Sequence, residues 1–128
     1  YKLFQEDADA VYERAKVLQR AQQVAEHVVI SYFDEEPKNP TVAAAQAANG
    51  LIGLKGISAS FVLAPMGERI TISARSLGDI NVHRILEELG GGGHMTVAGA
   101  QLSNVTMEEA IEKVKEAILK HLKEGETN

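Results

Sequence analysis

Two short stretches of this sequence combine residue types that can grip an anion. In one, the run Gly90-Gly91-Gly92-Gly93 is followed directly by His94; in the other, Ser73-Ala74-Arg75-Ser76 sets a guanidinium among hydroxyls. Backbone N–H groups that carry no neighbouring Cβ can turn toward one concavity and hold a phosphate as a nest. His94 would add a donor, and a phosphate beside it would raise its pKa and favour the imidazolium. Arg75 can fork onto phosphate oxygens. Ser73 shares the strand face of Arg75 by the two-residue period, and Ser76 is expected in the turn that follows. Each ordered glycine costs about 0.4–1 kcal/mol relative to alanine, so four in succession weaken a fold whose whole stability is about 5–15 kcal/mol. Taken singly, the glycine run fits a flexible connection as well as a phosphate nest, and the Arg75 stretch reads as a solvated strand end. Together they favour a phosphate site.

The elements that must position these residues follow from periodicity and punctuation. Val11, Ala15, Leu18 and Ala21 recur at helical spacing between Asp7 and Gln23, with Asp7 and Asp9 expected in the first turn. Glu26 to Asp34 is rich in β-branched and aromatic residues and predicts a strand that contains His27, followed by Glu35 to Asn39 as a mobile loop. Asn39 and Pro40 fit an N-cap and first helical position, the alanine-rich run to Ala48 a helix, and Asn49-Gly50 its stop. Ile57 to Ala64 and Arg69 to Ala74 alternate as a hairpin about Pro65-Met66-Gly67. Asn81 caps a helix from Val82 to Leu89 that the glycines end, Val97 to Leu102 is a short strand, and Thr106 to Glu109 is a capping box. The last helix buries Met107, Ile111, Val114, Ile118 and Leu122, and Glu124 to Asn128 is expected to fray. The order predicts an α/β sandwich with a mixed sheet of about four to five strands and about four helices.

Composition sets the outer limits. The chain has 128 residues, enough for one domain with its own core, and 45% of them are hydrophobic. Thirteen basic against eighteen acidic residues give a net charge of −5, which disfavours long nucleic acid as a partner. The lack of cysteine excludes thiol chemistry, disulfides and thiolate metal sites. No apolar run reaches the ~20 residues of a membrane-spanning helix, so membrane contact by this domain is not expected. Asp79 and His83 have a metal-like i, i+4 spacing, but Asp79 reads as part of the helix-capping turn; no metal site is assigned, and His27 and His121 are not nominated. A chain opening on Tyr1 rather than Met is expected to be an excised or processed piece of a longer protein.

The segment from Ile72 to Gln101, with Gly91-Gly92-Gly93-His94 and Val97-Ala98-Gly99-Ala100-Gln101, resembles the DHH-associated domain of the DHH phosphoesterase superfamily. Its form is most similar to that in the membrane-anchored cyclic-di-AMP phosphodiesterases of Gram-positive bacteria, which also carry GGDEF and PAS modules. Val97 departs from the generic pattern of two alanines before the glycine, which bears on membership of the short oligoribonuclease-type branch. The resemblance implies one DHH-associated domain over residues 1–128, with residues 1–24 forming an N-terminal helix at the end of the interlobe connection. It implies a separate catalytic DHH lobe of the same parent chain, holding Mn²⁺, and a fragment that is silent alone. Gly91, Gly92, Gly93 and His94 would then contact phosphate of a cyclic dinucleotide or short nucleotide, and Ser73, Arg75 and Ser76 would hold phosphate or base. Alternatives are a nanoRNA or adenosine-bisphosphate phosphatase lobe, or a non-catalytic nucleic-acid module like those that accompany alanyl-tRNA synthetases. The domain is expected in the cytoplasm with its parent in the membrane, and a homodimer through an apolar face stays open.

Overall fold

The computed structural model describes residues 2–126. Helix α1 (Lys2–Arg20) leads into β1 (Gln22–Ala25) and β2 (Val28–Tyr32), and α2 (Pro40–Ile52) crosses to β3 (Ala59–Met66). Then come β4 (Arg69–Ser76), α3 (Val82–Glu87), β5 (Gly92–Gly93), β6 (Val97–Ser103) and α4 (Met107–Glu126). One six-stranded sheet has the order β1-β2-β3-β4-β6-β5, with β2 and β3 parallel and every other pair antiparallel. The α/β class and the four helices match expectation; the sheet has two strands beyond the four that the pattern marked.

Those two strands lie at the edges. Gln22-Gln23 is polar and pairs along one side only, with a register shift before Ala25, as edge strands tolerate. Strand β5 is built from glycine, which has no strand propensity of its own. His27 falls between β1 and β2 rather than inside a strand: it is exposed, has φ 65°, and its Nδ1 lies 2.7 Å from Gly56 O.

Side-chain alternation on the strands creates two cores. On one face Ile30, Phe61, Leu63, Ile72 and Ala74 meet Val82, Ile85 and Leu86 of α3 and Val114 and Ile118 of α4. On the other, Val29, Val62 and Ala64 meet Val17 of α1 and Ala44, Ala47, Ala48 and Leu51 of α2. The alanines let α2 lie close against β3 and β4. Its boundaries differ from expectation, because Asn49-Gly50 continues the helix, which ends at Gly53. A Cβ on Gly50 would meet Leu18 Cδ2 at 3.6 Å, an ordinary contact, and Gly50 has no positive φ, so this glycine acts neither as a stop nor as a packing requirement. Asn39 has φ 47° and makes no side-chain cap, leaving Pro40 as the start signal.

Helix α1 begins earlier than its pattern, so Asp7 and Asp9 lie beyond its first turn. Among its described side chains, Val17 is buried with Leu18 and Ala21 beside it, while Val11 is 52% exposed. The loop after β2 is tied down, since Gly67 N–H in the β3–β4 hairpin donates to Glu36 Oε1 at 2.6 Å. That hairpin turns through Gly67-Glu68, one step later than expected, with Gly67 at φ 61°. Helix α4 opens with the expected capping box: Thr106 N–H donates to Glu109 Oε1 and Glu109 N–H to Thr106 Oγ1. The helix runs to Glu126, so residues 124–126 are helical where fraying was expected, and residues 127 and 128 lie outside the described residues.

Candidate functional site

The two anion-binding stretches come together on the α2 side of the sheet. Arg75 of β4 is the register partner of Val97 in β6, and Ser73 is the partner of Gly99. Gly99 in turn pairs with Gly92 of β5. Continuing that register by one step, His94 N–H donates to Val97 O at 2.6 Å. Directly paired residues of an antiparallel ladder share a face. One row therefore reads Arg75, Val97, His94, and the next reads Ser73, Gly99, Gly92. At about 4.8 Å per strand step, the backbones of Arg75 and His94 lie about 10 Å apart. The second row offers a floor that lacks Cβ atoms at two of its three positions.

Ser76 does not join this face. It ends β4, is 5% exposed, and its Oγ accepts from Gly78 N–H at 2.9 Å, closing the turn toward α3. The glycine run also divides by role. Gly90, at φ 80°, and Gly91 donate their N–H groups to Glu87 O and Leu86 O and so close the end of α3. A Cβ on Gly91 would lie 2.3 Å from Gly99 O, and one on Gly93 2.4 Å from Val97 O, so both must be glycine for β5 to reach β6. Gly92 differs: its φ is not positive and nothing lies within 4 Å of its hypothetical Cβ. The fold makes no demand for glycine there. Ladder alternation also leaves the Gly93 N–H off the β5–β6 pairing, on the open edge of the sheet.

Arg75 is held in place from the helix above. Its Nε–H donates to Asn49 Oδ1 at 2.9 Å and an Nη1–H to Ala74 O at 2.8 Å. Partial burial lowers its pKa from the ordinary arginine value, and it remains a cation at neutral pH. Asn49 carries no sequence signal for this role, because Asn-Gly reads as a helix stop; an amide inside an alanine run was the available hint. The apolar residues Leu77 and Met95, next in the chain to Ser76 and His94, and Val97, in the Arg75 row, are 66%, 48% and 43% exposed.

Other features do not add to the site. His83 Nε2 lies 3.3 Å from Glu87 Oε1 on its own helix, and Asp79 stands in the turn before it. Among the described residues no group of three or more His, Asp or Glu could hold a metal ion. A concavity of about 820 Å³ between α3 and α4 and one of about 370 Å³ between α1 and α2 both lie away from Arg75 and His94. No helix among the described residues is long and apolar enough to cross a membrane.

Comparison with known proteins points the same way. The DHHA1 domain model matches residues 16–124. A cyclic-di-AMP phosphodiesterase GdpP of Geobacillus thermodenitrificans is 45% identical over 97% of this chain, which covers 19% of that protein. A cyclic-di-AMP phosphodiesterase PdeA of Listeria monocytogenes is 39% identical over 98% of this chain, again covering 19% of the relative. The chain thus spans about a fifth of the length of the curated relatives it matches. The crystal structure of an exopolyphosphatase-related protein from Bacteroides fragilis superposes with a TM-score of 0.71 over 87% of this chain and 34% of that one, at 22% identity, which shows a shared fold.

Proposed function

The chain belongs to the DHHA1 domain family, and on that premise we propose that it is the substrate-binding lobe of a cyclic-di-AMP phosphodiesterase that opens the cyclic dinucleotide to linear pApA. The observation that carries the reading is the convergence of Arg75, His94 and a floor free of Cβ atoms at Gly92 and Gly99 on one face, across three strands. Two of the five guanidinium N–H donors are engaged by Asn49 and Ala74, so three are left to face a phosphate. The Gly93 N–H and the His94 ring complete a set of donors carried on backbones about 10 Å apart, which suits a nucleotide rather than a single small anion. Val97, between Arg75 and His94, offers apolar contact to a base or ribose.

This lobe binds and orients; it does not supply the catalytic centre. Among the described residues no group of His, Asp or Glu fits a metal centre; the manganese implied by the family resemblance is assigned to a DHH lobe elsewhere in the parent protein, with the domain on the cytoplasmic side of an anchored parent. Holding the scissile phosphate in line is where this chain's contribution to rate would arise. Ser76 contributes by shaping the end of β4. Residues 1–128 act as one domain, with α1 at the end of the connection to the other lobe.

The test uses the full-length protein. Arg75→Ala and His94→Ala are each expected to lower kcat/KM for cyclic-di-AMP by about ten- to a hundredfold, the loss of a charge-assisted hydrogen bond of ~1.5–3 kcal/mol. Turnover and KM unchanged in both variants would refute the assignment. Faster turnover of short linear RNA or of adenosine bisphosphate than of the cyclic dinucleotide would move the chain to the nanoRNA and phosphatase reading.

A further inference from the structure

We infer that Asn49 is a positioning residue for nucleotide binding: its Oδ1 fixes the Arg75 guanidinium on the sheet face that Arg75 shares with Ser73 and Gly99. The inference rests on the phosphate-binding role of Arg75 proposed above and goes beyond it by assigning a residue outside the matched motifs. Arg75 Nε–H and Asn49 Oδ1 are 2.9 Å apart, and the Nη1 contact to Ala74 O holds the guanidinium at a second point. An arginine pinned at Nε and Nη1 presents its remaining donors in one direction, so little freedom is lost when a phosphate arrives.

The helix that carries Asn49 is fixed to the same row of the sheet. Ser60, the register partner of Arg75 in β3, donates its Oγ–H to Ala48 O at 2.7 Å. Neighbouring residues of α2 are thus joined to neighbouring strands, Ala48 through a buried serine and Asn49 through the arginine. Helix stability does not account for Asn49. It lies in an alanine-rich helix, is exposed, and has a lower helix propensity than the alanines around it. The orientation of Arg75 does account for it, because the Asn49 amide supplies the acceptor that Nε uses.

The experiment measures cyclic-di-AMP hydrolysis by the full-length protein carrying Asn49→Ala, Arg75→Ala or both, together with the Tm of each. Asn49→Ala is expected to raise KM about three- to tenfold, the equivalent of one net hydrogen bond, with Tm held or raised. It is expected to add nothing in the Arg75→Ala background. If Arg75→Ala raises KM and Asn49→Ala does not, positioning by Asn49 is wrong while the site stands. If Asn49→Ala has the same effect with and without Arg75, its role is structural and the inference also falls. If Arg75→Ala itself leaves KM unchanged, the phosphate-binding reading fails first and removes the basis for the inference.

Discussion

Single atoms decide the meaning of the glycine run. Gly91 and Gly93 are glycine because a methyl group would strike the backbone of β6, so Gly91→Ala or Gly93→Ala should cost at least about 1–3 kcal/mol of stability through forced separation of the strands. Gly92 faces open space with an ordinary φ, so Gly92→Ala should hold or raise stability by about 0.4–1 kcal/mol. The same substitution should weaken nucleotide binding, since the methyl would occupy the floor between Arg75 and His94. Thermal unfolding of the three variants, paired with KM for the full-length protein, separates the two roles; normal KM for Gly92→Ala would mean that this floor is not ligand space. The sequence marked Arg75, Ser73 and His94 as candidates because a guanidinium among hydroxyls and an imidazole after a glycine run, each ordinary alone, together favour an anion site. Asn49 was hidden because its partner is 26 residues away and Asn-Gly has a strong local meaning that tertiary packing overrode.

Elements with both local punctuation and a long apolar period were the most readable. Helix α4 has its box and its stripe, and the box gives it a pH dependence. The Glu109 carboxyl lies below its ordinary pKa, first because the Thr106 backbone N–H donates to it and then through the Thr106 hydroxyl. A folded pKa below the unfolded one means that this stabilisation is complete above the ordinary carboxylate range and disappears as pH falls through the folded value. Glu109→Gln keeps the acceptor and should flatten that part of a Tm-against-pH profile, whereas Thr106→Ala should lower stability by about 1 kcal/mol at neutral pH. A Glu109→Gln profile with the wild-type slope would assign the dependence to other carboxylates. Helix α2 was found but ended too soon, and β1 and β5 were missed, since two to four polar or glycine residues carry no period to detect. Packing, not propensity, makes them strands. Ala48→Leu tests the close seat of α2: overpacking a site that is fully buried should cost about 1–3 kcal/mol and displace Asn49 from Arg75, raising KM as well as lowering Tm.

Over the whole molecule, the sheet works as a partition between two hydrophobic cores, one capped by α3 and α4 and the other by α1 and α2. Phe61 is fully buried at the centre of the first, and Phe61→Ala should remove about 3–5 kcal/mol, enough to threaten folding; a Tm near wild type would show that the core can collapse around the gap. Net charge and the α/β class were readable from composition and element order, because both are sums over many residues. The pairing that unites Arg75 with His94 was not, because it depends on which strand lies beside which. That pairing also makes residue count between Leu89 and Val97 a constraint separate from residue identity. Strands alternate sides with every residue, so removing one glycine from the run would either turn the imidazole toward the opposite side of the sheet or break the tight Met95-Thr96 connection. Substitutions in this hairpin can be graded, but a deletion acts as a change of parity, which no neighbouring side chain can compensate.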